Sequence, residues 1–136
     1  MKKVNVLTNT DIEKIYQLYK ERIGAEGAEF ALAVADSHGE LVFFIKTDNC
    51  PVSAASIAVN KAYTSARDRQ KTSSLDAASK QLGFAVSSLG DIRYTGLGGG
   101  VPVVVGDDWI GAVAVSGMSQ EEDEALAEKM VRAVTG

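Results

Sequence analysis

Residues 29–46 read "EFALAVADSHGELVFFIK", and the fold turns on how they are taken. Two apolar runs flank Asp36, Ser37, His38 and Gly39, with the aspartate and the glycine supplying the turn chemistry of a hairpin. The runs are too uniformly apolar for strands with one face in water. They predict a sheet covered on most of both faces. The arrangement recurs downstream, where "VPVVV" (101–105) and "WIGAVAVSG" (109–117) are joined through Gly106, Asp107 and Asp108. Two hairpins require antiparallel pairing.

Helical patterns surround the hairpins. In residues 10–24, Ile12, Ile15, Tyr16, Tyr19 and Ile23 recur at helical intervals. Thr10 and Glu13 have capping-box spacing and Gly24 is a natural stop. Residues 48–70 predict a second helix with Pro51 near its first turn and an alanine stripe at 54, 58, 62 and 66. Such a stripe lets a helix axis approach a sheet closely. Leucine there is expected to harm folding more than alanine at Lys61. The other side of this helix carries Ser53, Ser56, Asn60, Lys61 and Thr64. Residues 73–83 predict a short helix capped by Ser73 or Ser74. Residues 84–96 read as irregular with one short strand. Residues 119–134 form a last helix, with Ser119 and Glu122 as a capping box. The order is an α+β one with a central antiparallel sheet, and residues 1–136 form one domain.

Hydrophobic residues make up 46% of the chain and charged residues 24%, enough for one sizeable core but not for enclosing a bulky ligand. Such a ligand belongs at a subunit interface. A net charge of −4 argues against nucleic acid, and the run Arg67, Arg69, Lys71 is broken by Asp68. The single cysteine, Cys50, excludes an internal disulfide and a multi-cysteine zinc site. No apolar stretch spans a membrane, and "MKKVNVLTNT" is no signal peptide, so the cytoplasm is the expected location.

Residues 96–100, "GLGGG", do not form a nucleotide-phosphate loop. The last glycine of a dinucleotide fingerprint would fall on Val101, a strand follows, and no Gly-Lys-Ser/Thr is present. Two readings remain: the glycines permit a sharp, close backbone approach, or the amides of Gly98, Gly99 and Gly100 line a ligand site. Lys61, beside Thr64 and this loop, is a candidate carboxylate ligand or acid–base group. Asp123, in the acidic first turn of the last helix, is its candidate ion-pair partner across the site. Ser116 lacks the nucleophile-elbow pattern but belongs to the same wall. His38 is the only histidine and a candidate donor to haem iron; a tyrosine or Cys50 is a weaker one.

The segments "VADSHGELV", "SAASIAVNKAYTSA", "GGGVP", "IGAVAVSG" and "EEDEALA", in that order over residues 31–133, resemble the GlcG/HbpS family. This family also occurs as the C-terminal domain of PduO-type corrinoid adenosyltransferases. The resemblance implies a profilin-like or PAS-like sheet with helices on both faces, and homo-oligomers, often octamers. It implies haem binding in some members and corrinoid-linked roles in others. It also matches Lys61 and Asp123. The chain departs from the family pattern at residues 46–51 and at Met118. Three functions follow as expectations: an oligomeric binding protein for haem, a related tetrapyrrole or another carboxylate-bearing small molecule; an enzyme acting on an organic acid or carbonyl compound through Lys61 and Asp123; or an accessory module docking to a partner enzyme.

Overall fold

The computed structural model describes residues 1–136, apart from the side chain of Glu26. Its elements are α1 (Asn9–Glu26), β1 (Ala31–Asp36), β2 (Leu41–Lys46), α2 (Val52–Asp68), α3 (Thr72–Leu82), a 3₁₀ turn (Val86–Leu89), β3 (Gly100–Val105), β4 (Asp108–Ser116) and α4 (Gln120–Thr135). The four strands form one antiparallel sheet in the order β2-β1-β4-β3. Both hairpins form as their turns predict. They join through the central β1–β4 pair, in register from Ala31 opposite Ser116 to Asp36 opposite Gly111.

Side chains alternate across a strand, and here the alternation sorts them by size. Leu32, Val34, Val101, Val103, Val113 and Val115 point to one face, where Ile15 and Tyr19 of α1 and Leu126 and Met130 of α4 cover them. Burying each large apolar side chain in this layer contributes about 1.5–3 kcal/mol. Ala31, Ala33, Ala35, Ala112 and Ala114 point to the other face and meet Ala54, Ala58, Ala62 and Ala66 of α2. The predicted stripe is therefore the contact surface, and α2 rides close to the sheet.

Local departures from expectation have local causes. Helix α1 starts earlier than expected: Thr8 is the cap, its hydroxyl accepting from Asp11 N while the Asp11 carboxylate accepts from Thr8 N. The equivalent spacing at Thr10 and Glu13 falls inside the helix. The helix ends on Gly27, which takes the left-handed conformation (φ 61°), and runs through Gly24. Helix α3 begins at Thr72, with Lys71 rather than a serine at its cap position. Residues 84–96 contain no strand, only the 3₁₀ turn. Coverage of both sheet faces holds for β1 and fails at the edge strand β2, where Leu41 and Val42 are each 48% exposed.

Candidate functional site

Lys61 lies midway along α2, where the helix meets the end of the sheet. A Cβ on Gly100 would come within 2.7 Å of the Lys61 carbonyl oxygen. A Cβ on Gly99 would come within 2.4 Å of the Val115 carbonyl oxygen and 2.7 Å of Lys61 Nζ. Gly99 also has φ of +134°, which side chains rarely adopt. These glycines thus let a lysine side chain pass between helix and sheet. The Gly98 amide donates to Gln120 Oε1 (2.8 Å) and the Gly100 amide to Thr72 Oγ1 (3.0 Å). The structure therefore satisfies those two amides within the chain, which accords with the close-approach alternative of the two sequence readings rather than the ligand-lining one.

The lysine does meet the aspartate. Lys61 Nζ donates to Asp123 Oδ2 at 3.1 Å and to the Val115 carbonyl at 2.9 Å, and both side chains are 3% exposed. Asp123 Oδ1 accepts from Met118 N (3.0 Å), fixing the chain between β4 and α4. Burial pushes the Lys61 ammonium below its ordinary pKa and the Asp123 carboxyl above its own, with each partner's charge opposing the shift. The charged and neutral forms of the pair differ by one proton moved along one hydrogen bond.

The pair lines a hollow of about 270 Å³, with Ile57, Leu97 and Met118 as apolar wall and Ser53, Ser116 and Gln120 as polar groups. Ser116 ends β4 on the alanine face, buried at the rim of the hollow. Gln120, Met118 and Leu97 were not candidates in the sequence. Adjacency to Ser116 and Asp123 along the chain was the available signal for the first two. Thr64 is placed elsewhere: its hydroxyl donates to Asn60 O (2.8 Å) and accepts from Thr95 N (3.0 Å), pinning the loop before β3.

His38 lies at the opposite end of the sheet, in the exposed β1–β2 turn. It borders a second hollow of about 640 Å³, together with Lys2, Val42, Arg69, Trp109 and Ile110. Its Nδ1 is 3.4 Å from Ser37 Oγ, and its Nε2 has no hydrogen bond among the described residues. Two carboxylates on this rim are already engaged. Asp36 Oδ1 accepts from His38 N and Glu40 N, and Asp108 Oδ2 accepts from Asn5.

The remaining donors are structural in placement. Tyr16 stacks on Tyr19 against the core. The Tyr63 hydroxyl is bonded to Asp91 beneath the Arg93 guanidinium. Cys50 is buried beside the alanine face, where burial raises its thiol pKa. Cys50 N donates to Thr47 O, and Thr47 N donates to Phe30 O, so the thiol belongs to the Ala31 end of β1, away from His38. No group of three or more His, Cys, Asp or Glu among the described residues is placed to hold a metal ion, and no helix is long and apolar enough to cross a membrane.

The family described as haem degrading protein HbpS-like matches residues 7–132. A 15.0 kDa protein of Citrobacter freundii, from the dhaT–dhaS intergenic region, is 30% identical over 128 residues, covering 92% of this chain and 89% of its own. Protein GlcG of Escherichia coli K12 is 39% identical over 88 residues, 63% of each chain. The crystal structure of a complex of PduOC with haem superposes with a TM-score of 0.85 at 22% identity, over 95% of both chains, and shares the fold.

Proposed function

Because the chain belongs to the HbpS-like family, we propose that it is a ligand-binding protein for haem or a related planar, carboxylate-bearing molecule. The observation that carries the reading is the 640 Å³ hollow bordered by the chain's only imidazole. Its size suits a cofactor, where 270 Å³ does not. Its residues fit such a group. His38 offers Nε2, with its Nδ1 3.4 Å from Ser37 Oγ. Trp109, Val42 and Ile110 offer apolar wall, and Lys2 and Arg69 offer cations for carboxylates. Haem, when bound, would supply the redox and oxygen chemistry; Lys2 and Arg69 would hold its carboxylates and His38 would hold its iron.

Ferric haem titration followed in the Soret region tests this. The hollow is open and offers one donor, so the expected dissociation constant is about micromolar or weaker, no more than about 8 kcal/mol. His38→Ala should abolish the Soret shift. An unchanged shift in that variant would remove the hollow from the reading, and no shift in the parent protein would remove haem.

Assembly belongs to the same proposal. Leu41 and Val42 on the edge strand and Trp109 beside the larger hollow present apolar surface that a second copy would cover. Sedimentation at micromolar concentration should give several times 14.4 kDa, with an octamer as the expectation from the family resemblance. A monomer would overturn it.

A further inference from the structure

The Lys61 hollow plays no part in the haem reading, which rests on the opposite end of the sheet. A buried ion pair is a poor way to gain stability, since apolar residues of similar volume often do as well or better. This pair is also not sealed in solid core. It forms part of the wall of a hollow, beside Ser116. The Lys61 amine thus has a proton acceptor at 3.1 Å, and the hollow that its residue lines has room for a small molecule.

We propose that Lys61 is a covalent capture site for a small aldehyde or ketone, held as an imine. In the first step the ammonium passes one proton to the Asp123 carboxylate, leaving a neutral amine beside a carboxylic acid. The Nζ lone pair then forms a bond to the carbonyl carbon, and the C=O π pair moves to the oxygen, which Asp123 protonates. The carbinolamine loses that oxygen as water, taking a second proton from the nitrogen by way of Asp123. Amine plus carbonyl gives imine plus water, with no oxidant or reductant required.

Burial favours the neutral amine and the protonated acid, the two forms the sequence needs. The volume admits a compound of a few carbons. Ser116 and Gln120 offer hydrogen bonds to a hydroxyl or carboxylate on that compound. On the strand side the amine is held by the Val115 carbonyl and the bare backbone of Gly99.

The test uses the full-length protein with glyoxylate, pyruvate or glycolaldehyde, each trapped with cyanoborohydride and mapped by peptide mass spectrometry. Lys61, although buried, should be labelled at least tenfold faster than exposed Lys80. Asp123→Asn should slow labelling at Lys61 at least tenfold and leave Lys80 unchanged. If that variant fails to fold, the parent map decides alone. Labelling confined to exposed lysines overturns the proposal. So does an unchanged Lys61 rate in a folded Asp123→Asn protein. Haem titration is independent of either result.

Discussion

Asp123→Ala is expected to destabilise the protein by about 3–5 kcal/mol, the range for removing one partner of a buried ion pair. The cost arises from what remains. Lys61 would keep an ammonium in a nearly waterless place, with only the Val115 carbonyl as acceptor. Met118 N would lose the carboxylate that fixes the β4–α4 connection. Lys61→Ala should cost a similar amount, because it strands the carboxylate instead. This reverses the order expected from sequence: leucine at Ala58 is an overpacking change of about 1–3 kcal/mol, whereas Lys61 is 2% exposed rather than at the surface. The double variant Lys61→Met/Asp123→Leu should recover most of the loss, since no charge is then buried. Urea unfolding of the variants, compared by midpoint, measures this. Additive losses in the double variant would show that the two residues do not act as a pair.

Gly99→Ala is the second large effect. A side chain at φ +134° costs about 1–3 kcal/mol, and the collisions with the Val115 carbonyl and Lys61 Nζ add an overpacking term of about 1–3 kcal/mol. Together they predict a loss of about 2–6 kcal/mol. Gly24→Ala is the control. That glycine lies within α1, has nothing within 4 Å of an added Cβ and has no positive φ. Alanine there should stabilise by about 0.5–1 kcal/mol. Thermal melts distinguish the two. A harmless Gly99→Ala would mean that the lysine does not pass as closely as described.

Both hairpins, the alanine stripe and the last helix were legible because each depends on residues near one another in the chain. The edge exposure of β2 was not, because Leu41 and Val42 are as apolar as their buried neighbours and only the strand order decides which lies outside. That order is set by the β1–β4 pairing across some eighty residues, which no local pattern records. One legible signal was passed over: residues 31–35, ALAVA, alternate small and large, as do residues 112–115, AVAV. That alternation specifies which face meets α2. At the site, Lys61 and Asp123 could be named as partners, but the fate of the glycine amides could not. It depends on Thr72 and Gln120, two polar residues whose side chains reach back across the loop.

The two layers of the fold differ in side-chain entropy. On the α2 side the fully buried apolar contact is made by alanine and Cys50, with Phe44 and Val59 packed at its margin. Alanine has no rotamers, so closing this layer costs little side-chain entropy and leaves it few alternative packings. The α1–α4 side is built from leucine, methionine, isoleucine, phenylalanine and tyrosine, which have rotamers to lose on folding and to exchange afterwards. Any rearrangement that accompanies a ligand or a second subunit would therefore be taken up by the layer of α1 and α4. The helix that carries Lys61 would then stay fixed to the sheet and serve as the reference frame for that rearrangement.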